Sequence, residues 1–142
     1  FMLKLLDNGY EILSEDPVRP HLQDFKQSPN NENYAWEVDG ETQAVICVSY
    51  TSEVPTSEND LREHSGPADH REVAVFYTVW SYSKGAGREI VLQARNFIKQ
   101  HRPVTRLITL SPLTEMAERF HIRNGATLLA VHPYAQNFEY KI

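Results

Sequence analysis

The chain has 142 residues, enough for one domain with its own core and too few for two. Hydrophobic content of 41% and charged content of 23% are those of an ordinary globular protein, and a net charge of −5 with no basic block argues against a nucleic-acid partner. No apolar run approaches bilayer length, no signal-peptide pattern is visible, and Cys47 is the only cysteine, so the expectation is a cytoplasmic protein without disulfides or a membrane partner.

Met2 to Leu13 holds two short apolar pieces around Asp7-Asn8-Gly9, which predicts two strands and a turn. Asp16-Pro17 reads as a helix N-cap followed by a first-turn proline, with Leu22 and Phe25 facing inward. After a polar stretch comes the clearest hairpin: Tyr34 to Val38, Asp39-Gly40, then Glu41 to Tyr50. Apolar residues fill both alternating faces of its second strand, so both are expected to be covered, with Cys47 a buried inert thiol. Residues 51–71 carry Glu53, Glu58, Asp60, Glu63 and Asp69 and little apolar content. They predict a long, solvated polar loop that acts as a lid beside an acceptor site. Glu63, His64, Asp69 and His70 match no metal-ligand spacing, so no metal is expected.

The chain is organised around Val73 to Gln100. A β-rich run, Val73 to Tyr82, is followed by the turn Ser83-Lys84-Gly85-Ala86-Gly87. Helical period then begins, with Ile90, Ala94, Phe97 and Ile98 on one face. Strand, glycine turn and helix start form an anion cradle, because glycines let backbone approach closely and the first helical N–H groups lack partners. A Walker loop is excluded by the missing Gly-Lys-Ser/Thr, and a dinucleotide turn by the missing third glycine.

Strand Thr105 to Leu110 comes next. Ser111-Pro112 then reads as a cap and first helical proline, opening a helix whose inward stripe is Leu113, Met116, Ala117 and Phe120 and which Asn124-Gly125 ends. Ala126 to Val131 and Phe138 to Ile142 are the last strands. A hairpin, then βαβα, then two strands predicts a single α+β domain over 1–142 with a mixed, mostly antiparallel sheet flanked by helices.

Two motifs in this order carry a family resemblance. Tyr82-Ser83-Lys84-Gly85-Ala86-Gly87 followed by Ile90-Val91 resembles the pyrophosphate loop Gln/Arg-x-x-Gly-x-Gly/Ala of the GNAT acyltransferase superfamily, with Tyr82 departing from it. Phe120-His121-Ile122-Arg123-Asn124-Gly125-Ala126 is similar to the second GNAT signature, Phe-Tyr-x-x-x-Gly-Phe/Ala. Phe76-Tyr77-Thr78-Val79, Thr109-Leu110-Ser111-Pro112 and the Phe120-His121 motif are also similar to stretches of the GNAT-like domain of malonyl-CoA decarboxylases.

The resemblance implies the GNAT fold and acetyl-CoA or another acyl-CoA as cofactor. Its pyrophosphate would lie on N–H groups from Ser83 to Arg88, with Lys84 and Arg88 as charge partners and Asn124 nearby. A backbone N–H among Val79, Trp80 and Ser81 would polarise the thioester carbonyl. His121 stands where the family places the acid that protonates the departing thiolate, and an imidazolium near its usual pKa of ~6.5 is expected to donate readily. Three functions follow. The first is acyl transfer to an amine, with Glu72 at the start of the central strand as its base. The second is decarboxylation of a malonyl-type acyl-CoA by Thr109, Ser111 and His121. The third is an acyl-CoA sensor without turnover. A homodimer is compatible with each.

Overall fold

A seven-stranded sheet in the order β1-β2-β3-β4-β5-β7-β6 forms the middle of the computed structural model, which describes residues 1–142. The strands are β1 (Met2–Leu5), β2 (Glu32–Val38), β3 (Glu41–Thr51), β4 (Val73–Ser81), β5 (Arg106–Thr109), β6 (Thr127–Val131) and β7 (Gln136–Tyr140). The helices are α1 (Gln23–Lys26), α2 (Glu58–His64), α3 (Ala86–His101) and α4 (Glu115–Arg123). The β2–β3 hairpin turns at Asp39 and Gly40, both with positive φ, as a two-residue loop between right-twisted strands requires. One sheet face packs Ile46, Val48, Phe76 and Leu107 under α3 through Ile90, Val91, Ala94 and Ile98. The other packs Val45, Val75, Tyr77 and Ile108 under Leu13, Leu22, Phe25 and Leu61. Burial of each such side chain contributes roughly 1.5–3 kcal/mol, so the sheet is fixed from both sides. Cys47 is wholly buried, and burial pushes its thiol far up, as an inert core thiol requires.

Only β4 and β5 run parallel. Their pairing ends at Phe76↔Thr109, with one last bond from Leu110 N–H to the Phe76 carbonyl at 3.0 Å. Beyond it the strands part. The Ser111 N–H and carbonyl exchange bonds with Gln136 at 2.8 and 2.9 Å, and Pro112 has no N–H with which to continue the ladder. On its other edge β4 stays paired with β3 as far as Ser81 but carries a bulge at the same level, since Cys47 pairs with Thr78 and Val48 with Phe76, leaving Tyr77 as the extra residue. The bulge re-phases the strand: Phe76 and Val79 join the core cluster under α3, and Tyr77 and Trp80 the one opposite. The result is a fork between two arms of one sheet.

Several expected elements differ. The second N-terminal strand is instead a 3-10 helix, Glu11–Glu15, and the helix after Asp16-Pro17 is a 3-10 turn, Pro20–Leu22, running into the single turn of α1. Asp16 does make the bonds of an N-cap, its buried carboxylate accepting from Val18 and Arg19 N–H, but residues 17–19 turn without forming a helix. Residues 51–71 are not a structureless loop. Ser57 caps α2 by accepting from Asp60 N–H, Leu61 enters the core, and Arg71 ties the far end down through the His64 carbonyl. Isolated apolar residues such as Leu61 are too sparse to register as a helical stripe. Ser111-Pro112 does not start α4, which begins later, capped by the Thr114 hydroxyl. Met116, expected inside, is 81% exposed. Gly125, at φ +100°, does end the helix, and Ala126 N–H bonds back to the His121 carbonyl.

Candidate functional site

The fork opens a cleft of about 370 Å³ lined by both strand arms, the first turn of α3 and one side of α4. Val79, Trp80 and Ser81 of β4 line one wall, and Ser111, Phe120 and His121 the other. Gly87 completes it at the start of α3, where a Cβ would stand 3.3 Å from Phe120 Cε1. Helix and ring therefore meet closely, and a side chain at this position would press on the Phe120 ring. No Asp, Glu, Lys or Arg lines the cleft.

At the mouth, the turn before α3 presents a row of donors. The Ser83, Lys84, Gly85, Gly87 and Arg88 N–H groups make no bond within the chain, whereas Ala86 N–H reaches the Ser83 carbonyl at 3.2 Å. Gly85, at φ +84°, turns the backbone into the helix. Free amides at the positive end of a 16-residue helix offer donors suited to a phosphate-sized anion. Lys84 is exposed beside it. Arg88 spans from the cradle to α4, donating to the Arg123 carbonyl at 3.1 Å and to Asn124 Oδ1 at 3.4 Å. Asn124 is buried and its Nδ2 has no partner. The Tyr82 side chain, which departs from the motif, points away from the turn: its phenol donates to Glu15 at 2.6 Å and accepts from Trp80 Nε1 at 2.9 Å. Only the Tyr82 backbone belongs to the turn.

His121 is buried between Phe120 and Phe138, with ring centroids 5.0 and 5.4 Å away, and its Nδ1 lies 2.8 Å from the Tyr140 hydroxyl. Burial pushes the imidazole down to about 4, so it is neutral at neutral pH. The expected imidazolium donor is thereby corrected. The Tyr140 phenol is pushed up by burial and keeps its proton. When Tyr140 donates to Nδ1, Nε2 carries the imidazole proton.

Ser111 donates to Thr109 Oγ1 at 2.9 Å. Thr109 Oγ1 also accepts from Phe138 N–H at 2.9 Å, fastening β5 to β7 where their pairing has stopped. Thr109 therefore reaches the cleft only through Ser111, which lines it. Glu72 does not belong to the site. It is exposed at the opposite end of β4, roughly 30 Å along the strand from Ser81, where its carbonyl accepts from Thr105 and Arg106. Tyr140 escaped sequence reasoning because it meets His121 across 19 residues and lies in no motif. Arg19 escaped too, although charged residues among the inward-facing Leu13, Val18, Leu22 and Phe25 were a visible signal.

The His121 burial predicts a pH dependence. Its folded value of about 4 lies below the unfolded value near 6.5, so the unfolded chain takes up the proton first. Stability from this group is complete above about pH 7 and falls between about 6.5 and 4, by roughly 3 kcal/mol in all. Thermal unfolding from pH 8 to 5 should show a steeper loss for wild type than for His121→Gln. Parallel curves would contradict it.

No protein-family model and no curated protein sequence matches the chain. Its structure is similar to malonyl-CoA decarboxylase from Agrobacterium vitis, with a TM-score of 0.78 and 15% identity over 99% of this chain and 60% of that one. The Rhodopseudomonas palustris malonyl-CoA decarboxylase gives 0.74 at 17% identity over 99% and 56%. A GNAT family acetyltransferase from Elizabethkingia anophelis with acetyl-CoA bound gives 0.69 at 10% identity over 99% and 97%. The chain thus spans somewhat less than two thirds of the two decarboxylase chains. A mixed seven-stranded sheet flanked by helices and these likenesses show that this chain has the GNAT fold.

Proposed function

We propose that the chain is an acyl-CoA enzyme that decarboxylates a malonyl-type thioester. The cofactor's pyrophosphate lies on the amides from Ser83 to Arg88, with Lys84 as a charge partner, and the thioester enters the fork between β4 and the Ser111–His121 wall. The observation that carries the reaction is the lining: one imidazole that burial makes a weak base and the Tyr140 phenol backs, several hydroxyls with Ser111 among them, and no carboxylate or amine. Transfer to an amine needs a base, because the acceptor arrives as an ammonium ion with a pKa near ~10. Glu72 is out of reach. Decarboxylation needs none. A carboxylate in this cleft loses hydration and finds no cation, which favours its departure as neutral CO₂.

As the bond from C2 to the carboxyl carbon breaks, its electron pair moves onto C2 and the thioester oxygen. A neutral His121 Nε2–H is a donor for that oxygen. The proton C2 then gains comes from the Ser111 hydroxyl, which turns from Thr109 Oγ1 towards C2 and is reprotonated by solvent. Malonyl-CoA and one proton become acetyl-CoA and CO₂.

Acyl transfer to an amine is the second reading. The acetyltransferase from Elizabethkingia anophelis, unlike the decarboxylases, is matched over 97% of its own length. Incubation with malonyl-CoA alone and with acetyl-CoA alone, followed by mass spectrometry, separates the two. Conversion of malonyl-CoA to acetyl-CoA without an acceptor is the expected result. Unchanged malonyl-CoA, with CoA binding seen by thermal shift, would reject decarboxylation.

A further inference from the structure

We propose that the segment Asp16 to Arg19 is a fixed wall across the far side of the fork, and that Val18 sets the length of acyl group the cleft admits. The proposal rests on the reading of the fork as the seat of a CoA thioester. Arg19 is buried and bridges the two arms just past their last shared bond. Its Nε donates to the Tyr77 carbonyl on β4 at 2.8 Å, and an Nη donates to the Leu110 carbonyl beyond β5 at 2.9 Å. Its other terminal nitrogen pairs with Glu58 of α2, which His21 also reaches at 2.8 Å. Asp16 adds a third tie, with Oδ1 accepting from the Thr78 hydroxyl on β4 at 2.8 Å and from Val18 N–H at 2.7 Å. Lys26, wholly buried, holds Asp16 at 2.6 Å and the Arg19 carbonyl at 2.9 Å.

These bonds hold the backbone of the segment against both arms at once. Pro17 and Val18 therefore line the cleft together with Phe120 and His121 as parts of a rigid surface. A cleft of about 370 Å³ that must also take the thioester end of the cofactor leaves space for an acetyl- or malonyl-sized group. It follows that the substrate is a short-chain acyl-CoA and that Val18 is the specificity-determining residue. Val18 is half-buried and bonds to the wall only through its backbone, so its side chain can change while the ties stay.

The test is titration calorimetry of CoA, acetyl-CoA, butyryl-CoA and hexanoyl-CoA into wild type, Val18→Ala and Val18→Trp. Wild type should lose about tenfold or more in affinity between acetyl-CoA and hexanoyl-CoA. Val18→Ala should shift that loss to a longer chain. Val18→Trp should weaken acetyl-CoA about tenfold or more while binding CoA as wild type does. Identical chain-length profiles in all three proteins would overturn the wall. Failure of wild type to bind CoA is a different result: it removes the reading of the fork itself and this inference with it.

Discussion

Replacing His121 by Ala is expected to lower malonyl-CoA turnover by about two to four orders of magnitude while leaving CoA affinity within about twofold. On the proposed reading the cofactor's pyrophosphate lies on backbone amides from Ser83 to Arg88, none of which bonds to the imidazole, so binding and chemistry should separate by position. Two further readouts identify the kind of donor. Burial holds His121 down at about 4, so kcat/KM should be flat between pH 6 and 8. An imidazolium acid would instead lose activity as pH rose past ~6.5. Gln at this position keeps a neutral N–H donor, so His121→Gln should retain more activity than His121→Ala. Full turnover by His121→Ala, measured as acetyl-CoA formed per minute, would remove the histidine from the mechanism.

The parts legible in the sequence were those whose cause is local. Asp39-Gly40 fixes its hairpin because both residues tolerate positive φ, and the change of period after Gly87 places α3. Asn124-Gly125 ends α4 for a like reason. The turn with its free amides was readable because strand, glycine and helix start are consecutive in the chain. What could not be read depends on meetings far apart in sequence. Tyr140 meets His121 across the β7–α4 packing, and Arg19 meets Leu110 across 91 residues. The protonation of His121 belongs to the same class, since Phe138 and Tyr140 are part of the surroundings that exclude water from it. Ser111-Pro112 misled for an opposite reason. Its local pattern is that of a helix start, but bonds from Ser111 to Gln136 and Thr109 tie it to the β7 side beyond the end of β5 and delay the helix until after the Thr114 cap. That tertiary override also produces the fork, so the error and the site share one origin.

Replacing Lys26 by Ala is expected to destabilise the fold by about 3–5 kcal/mol, the usual consequence of leaving one member of a buried ion pair alone. In a chain of 142 residues this lowers Tm by about 10 °C or more, readable by differential scanning calorimetry. Lys26 and Asp16 side chains are both 0% exposed and 2.6 Å apart. The Asp16 charge has little freedom to move away, because its other oxygen accepts from Val18 N–H, Arg19 N–H and Thr78. Pairing Lys26→Met with Asp16→Asn should recover more than half of the loss, since Asn keeps an acceptor oxygen and no charge remains unpaired. A Tm for Lys26→Ala within about 3 °C of wild type would show the pair to be dispensable. Apolar replacement of a buried pair is often neutral, so the pair's presence is not explained by stability alone. Position supplies the reason. Asp16 and Lys26 place Arg19 between two backbone carbonyls of a sheet that has come apart, where an apolar side chain would leave both unbonded. The double variant should therefore recover most of its Tm yet discriminate acyl length less sharply, because the Lys26 bond to the Arg19 carbonyl is gone while Arg19's own bonds to both arms remain.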